Sequence, residues 1–158
     1  MAKELPSIRY KEQTNMQVFI VGNIFETIKA LDKKRRKKQW VEVQQIIDAI
    51  NGRIAWKNHP CVIQYKKYQY WLMLYRTVIE YFNMDMFERA ENVSLVADLY
   101  RPPFHTEEYF TQMKRRLYTK DPIHYKQWKV FGKSDINWYW SEKENKFIKY
   151  SNGKRINE

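Results

Sequence analysis

An all-α fold, a compact helical bundle forming one domain, is what this chain predicts, and three observations predict it. Its 158 residues are 44% apolar, enough for a single core. Only 4 glycines and 5 prolines are present, too few for the turns of a β-rich architecture. Apolar residues also recur at helical spacing through most of the chain.

Residues 1–15 are polar, carry Pro6 and show no sustained period, so they read as an N-terminal extension or arm. Met16 to Val21, MQVFIV, is an apolar run too short to type by periodicity. Ile24, Phe25, Ile28 and Leu31 mark a first helix, which continues through or breaks near Asp32. The central helix follows within ALDKKRRKKQWVEVQQIIDAING, residues 30–52. Trp40, Val43, Ile46, Ile47 and Ile50 form its apolar stripe, while Arg35, Lys38, Gln39, Glu42 and Gln45 share the adjacent face. Asn51-Gly52 ends it, because glycine takes the left-handed conformation that helix C-termini favour.

Pro60, behind His59, opens the next helix, since proline is pre-shaped for a first helical position. The stripe Val62, Tyr65, Tyr68, Leu72, Tyr75, Ile79 and Phe82 then predicts one long buried spine. Asn83 to Arg101 holds one or two short helices, stopped by Pro102-Pro103. Thr106 starts another, which runs through Lys114 and Arg116 to about Tyr118. Lys120-Asp121-Pro122 begins a further helical turn carrying His124, Tyr125 and Trp128. Beyond Gly132, aromatics and alternating charges predict an irregular segment, a short hairpin or a tail strapped across the body. The plan is an extension at 1–15, a helical domain at 16–140 and a tail at 141–158.

Charge narrows the partners. Lys and Arg total 29 against 18 Asp and Glu, a net +11 with pI near 9.6, and 16% of residues are aromatic. Such a surface attracts phosphate, and Tyr and Trp offer platforms for unstacked bases, so nucleic acid is the expected partner. An acidic protein partner is the alternative. The single cysteine, Cys61, precludes an intramolecular disulfide and a cysteine-rich metal site, and its neighbours read it as a buried thiol. No apolar run approaches the ~20 residues needed to span a bilayer, and the start lacks a signal-peptide core. A reducing cytoplasm is the expected location, or the host cytoplasm or virion for a viral protein.

Phosphate-loop glycines, a dinucleotide fingerprint, HExxH and GxSxG are all absent, and His59, His105 and His124 lack metal-ligand spacing. No cofactor or metal is therefore expected. What remains is a cofactor-free glycosylase, or a nuclease built on carboxylates far apart in sequence, such as Asp32, Glu42 and Asp121. Glu42 is a lone acid within a basic run. It reads either as a catalytic carboxylate in a positive field or as an exposed ion pair with Lys38, worth about 0.3–0.5 kcal/mol. His59 either simply opens its helix or faces the site.

Four stretches, in order, carry a resemblance: Met16-Gln17-Val18-Phe19, Leu31 to Glu42 (LDKKRRKKQWVE), Trp56 to Pro60 (WKNHP) and Leu117 to Tyr125 (LYTKDPIHY). The set resembles the pyrimidine dimer DNA glycosylase family, of the phage endonuclease V type. It is most similar to a shorter cellular and viral branch with the motifs MQTF, LDxxRLGKQRVE, WRNHP and LLRKDPxxY, and it spans roughly residues 16–140.

The resemblance implies an all-α fold that binds double-stranded DNA and a glycosylase or abasic-site lyase acting on a damaged or modified base without metal. It makes Glu42 the catalytic carboxylate, stabilising positive charge at C1′ as the base leaves and orienting the attacking group. Arg35, Lys38 and Gln39 would hold phosphates or sugar, with His59 beside them and Lys114, Arg116 and Lys120 extending the contact. Trp40 would wedge into the stack while a nucleotide flips out. The characterised members attack with the α-amine of a terminal threonine, whereas here neither Thr14 nor Gln17 is terminal. The branch's arginine, glycine and two histidines are replaced by Trp40, Lys37, Phe110 and Met113. A non-catalytic nucleic-acid-binding or assembly protein on the same scaffold, with a protein partner in a larger complex, is the second expectation.

Overall fold

Side-chain caps set where several of the helices begin. In this computed structural model, which describes residues 16–52 and 56–157, α1 (Ile24–Ala30) starts at Asn23. The Asn23 side chain accepts from the Glu26 amide, and the Glu26 carboxylate accepts from the Asn23 amide, a reciprocal box that satisfies two free donors. Leu31 is extended, so the chain breaks before α2 (Lys33–Ile50), whose cap is Asp32. Asn51 ends α2 and Gly52 follows at φ +94°. The expected extension at 1–15 lies outside the described residues.

His59 caps α3 (Pro60–Tyr65) by accepting the Cys61 amide on Nδ1 at 3.0 Å, with Pro60 at the first helical position. Then come α4 (Gln69–Asn83), α5 (Phe87–Asp98) and α6 (Glu107–Lys120). Thr106 caps α6, and Glu107 and Glu108 in its first turn suit the positive end of the helix dipole. A 3-10 turn at Lys126–Phe131 leads to β1 (Asn137–Ser141), β2 (Lys146–Ser151) and β3 (Lys154–Arg155), an antiparallel meander in the order β1-β2-β3.

Two expectations need correcting. The single long spine is two helices, broken at Lys66–Tyr68, because its apolar face serves different neighbours: α3 packs on α2 and β1, α4 on α1, α2 and α5. The bend lets Tyr65 stack on Trp71, centroids 5.7 Å apart and 10° between planes. The C-terminal segment is not irregular: of the alternatives it is the hairpin, β1 paired with β2, extended by the short third strand. Trp138 pairs with Lys149 and Tyr139 with Ile148, and alternate residues of β1 reach opposite faces, so Trp138 and Tyr139 are both buried.

The spine itself is as expected: Trp71, Leu72, Tyr75, Val78 and Ile79 of α4 are all buried. Among the described residues no helix is long and apolar enough to cross a membrane. The feature that shapes the site is less expected. Met16 to Ile20 are buried in unbroken succession while extended, outside any strand. Their backbone groups need partners away from water, and side chains supply them. The Gln39 carboxamide accepts from the Phe19 amide at 2.7 Å and donates to the Gln17 carbonyl at 2.8 Å, imitating a neighbouring strand. Tyr75 donates to the Phe19 carbonyl and Tyr139 to that of Met16, both at 2.7 Å.

Candidate active site

That extended segment lies across the polar face of α2, and it changes what Glu42 touches. The Glu42 carboxylate is half-buried and accepts the Gln17 amide at 3.2 Å. Burial pushes its proton affinity above the usual carboxylate range, opposed by the Gln17 hydrogen bond and by the charges of Arg35, Lys38 and Lys120. The exposed ion pair expected between Lys38 and Glu42 is not formed: among the described residues the pairs within 4 Å are Lys67–Glu142, Arg76–Glu80 and Arg155–Glu144. The carboxyl group turns toward the covering segment instead.

The cations around it come from two helices. Arg35 and Lys38 lie two turns and one turn before Glu42 on α2, and Arg116 and Lys120 lie one turn apart on α6. Arg116 is only 5% exposed, and its Nε has no hydrogen-bond partner. Burial lowers its proton affinity, while Tyr139, Asp135 and Glu42 act to raise it. Lys120 is exposed to solvent, yet partial desolvation, and then the charges of Arg116, Arg35 and Lys38, push its pKa down to about 8 against the pull of Glu42.

Two distant motifs fix this geometry by meeting each other. Tyr125 donates to Oδ1 of Asp32 and accepts the Asp32 amide at 3.1 Å, so a residue 93 positions away holds the cap of α2. His124 reaches the Ala30 carbonyl through Nε2 at 3.1 Å, and Asp121 Oδ1 accepts the His124 amide at 3.0 Å. The turn after Lys120 is thus fastened to the start of α2. Asp32 is committed to these bonds, and among the described residues no three His, Cys, Asp or Glu side chains gather as a metal-ligand set.

Of the residues expected to serve the site, Arg35, Lys38, Glu42, Arg116 and Lys120 come together. Gln39 is sealed inside, every polar group of its carboxamide engaged, so it positions the segment at 16–20 and has no face open to a strand. Trp40 points to α4, where its Nε1 donates to Glu80 at 2.8 Å, on the side of α2 away from the carboxylate. Lys114 lies over the Phe131 ring at 5.3 Å. His59 is a cap, set edge-on to Tyr139 at 5.6 Å. Cys61 is wholly buried, and burial pushes its thiol pKa well up, as expected of an inert core thiol.

Sequence reasoning missed Gln17, which holds the carboxylate, and the tie between Asp32 and Tyr125. The unbroken run at 16–20 was the available signal for the first, since a strand covered on both faces does not alternate.

Residues 16–80 match the pyrimidine dimer DNA glycosylase family. The match agrees with the resemblance in the sequence and points, at family level, to a DNA glycosylase-like function and a DNA substrate. No curated protein and no solved structure matches the chain. The matched segment contains Gln17, Arg35, Lys38, Glu42 and His59, while Arg116 and Lys120 lie beyond it.

Chemically, a recessed carboxyl group with raised proton affinity can hold or deliver a proton, and when ionised it can face a developing cation. The cations beside it, which form no ion pair within 4 Å among the described residues, suit a sugar-phosphate strand. The Gln17 nitrogen is bonded to the carbonyl carbon of Met16, so it donates a hydrogen bond and offers no lone pair for attack.

Proposed function

We propose that this protein is a DNA glycosylase with abasic-site lyase activity, acting on a damaged or modified base in double-stranded DNA. The observation that supports this most is the position of Glu42, hydrogen-bonded to the Gln17 amide at 3.2 Å and set among cations that form no ion pair within 4 Å among the described residues. As the base leaves, positive charge builds at C1′, and a carboxylate held in place beforehand stabilises it without reorganising. Arg35, Lys38 and Arg116 hold the flanking phosphates while the target nucleotide leaves the stack, which costs least where stacking is already poor.

The test is incubation with duplexes carrying an abasic site or a cyclobutane pyrimidine dimer, in EDTA, with strand scission and base release as readouts. Scission that survives chelation is the expected result; none, with the duplex still bound, would refute it. A second reading has one observation behind it: the nitrogen against Glu42 is a peptide nitrogen. If no other amine serves, the scaffold is a non-catalytic nucleic-acid-binding or assembly protein.

A further inference from the structure

We infer that Lys120 is the nucleophile of this site, its Nζ bonding to C1′ of the target sugar as the base departs. The inference rests on the glycosylase reading above and deepens it. Three observations converge. The backbone nitrogen nearest Glu42 is an amide and cannot attack. Lys120 ends α6 one turn past Arg116, close enough to Glu42 for each to perturb the other. Its place is set rather than floppy: Asp121 caps the following turn, and Tyr125 and His124 fasten that turn to Asp32 and Ala30 at the head of α2.

A lysine attacks only as the free amine, and neighbouring cations are a standard way to favour that form. With a pKa of about 8, about a tenth of Lys120 is uncharged at pH 7, roughly 300-fold more than for an ordinary lysine. Glu42 is shifted in the complementary sense, toward holding a proton. The two groups thus lean toward a free amine that can attack and a carboxyl that can supply a proton.

The step balances within the site. The Nζ lone pair forms the bond to C1′, the C1′–N bond breaks, and its electron pair leaves with the base, which takes the proton of Glu42. Glu42 then takes a proton from the ammonium on Nζ and returns it to O4′ as the C1′–O4′ bond opens. A protonated imine between Nζ and C1′ remains, and borohydride reduces it by delivering hydride to C1′.

The experiment is borohydride trapping on an abasic duplex, with the adduct located by peptide mass spectrometry, for the full chain and for Lys120→Arg and Lys120→Gln. An adduct on Lys120 in the parent is the expected result. It should fall at least 100-fold in Lys120→Arg, which keeps the positive charge and should bind the duplex within about threefold of the parent. A residue that merely contacts phosphate would survive that change. The parent's trapping rate should rise about tenfold per pH unit below pH 8 and level off above it.

An adduct elsewhere, or full trapping in both variants, would overturn the assignment and leave the glycosylase reading standing. Base release without any adduct in the parent would do the same. No release, no scission and no adduct would remove both. Mapping the parent adduct needs no variant to fold.

Discussion

Two basic regions of the molecule differ in what their cations touch. At the meander, Lys67 pairs with Glu142 and Arg155 with Glu144, and these side chains are solvent-exposed. Between α2 and α6, Arg35, Lys38, Arg116 and Lys120 surround one recessed carboxylate and pair with no acid among the described residues. Exposed pairs are solvated and contribute little, whereas crowded cations, with Arg35 half-buried and Arg116 buried among them, keep an electrostatic cost that an incoming phosphate relieves. Net charge alone does not distinguish the two; the placement of the acids does.

That contrast can be broken by substitution. The largest expected effect is on the α2–α6 side: Arg35→Ala with Arg116→Ala should weaken duplex binding about 100-fold and flatten the salt dependence, log K against log salt, by about 1.8, from ~0.9 per phosphate contact. Lys38→Ala should cost about five- to tenfold, alike at every sequence, with a slope change of about 0.9. Filter binding across 50–300 mM salt would measure both, and unchanged slopes would move the DNA surface elsewhere. Next comes the fastening of the two motifs. Tyr125→Phe removes a hydrogen bond to the Asp32 carboxylate worth about 1–2 kcal/mol, so calorimetry should show Tm lower by about 2–8 °C. Smallest is the meander: Lys67→Ala should leave duplex affinity within about twofold and Tm within about 1 °C, and a larger loss of affinity would put DNA there too.

Glu42 adds a pH signature. Its folded-state proton affinity is raised, so folding takes up a proton, and stability is greatest below the ordinary glutamate range and declines as pH rises through the folded value. Glu42→Gln cannot ionise and can still accept the Gln17 amide. Its Tm should match the parent at acid pH and exceed it increasingly as pH rises through the folded-state titration of the parent's carboxyl group. A constant difference across pH would contradict a carboxyl raised by burial.

What local chemistry controls was legible in the sequence. Gly52 ending α2, Pro60 starting α3 and Thr106 capping α6 each act within a turn of chain, and the spacing of Trp71, Leu72, Tyr75, Val78 and Ile79 foretold the spine. What depends on distant partners was not. Gln39 shares a helical face with Lys38 and Glu42 and reads as solvated until the segment at 16–20 crosses it. The bend at Lys66–Tyr68 leaves the apolar stripe unbroken, so periodicity passes straight over it. Tyr125 and Asp32 stand in separate motifs, and only folding shows why both are present. In the site, spacing placed Glu42 on one helical face with Arg35 and Lys38 but could not show that the carboxyl group is covered rather than paired with Lys38.

The most direct test compares Glu42→Gln with the parent on one lesion-bearing duplex, measuring single-turnover base release and equilibrium affinity side by side. Release should fall by about 100-fold or more, the scale of losing a pre-positioned charge-stabilising group, while affinity stays within about twofold. Release at the parental rate would contradict a catalytic role for the carboxylate beneath Gln17.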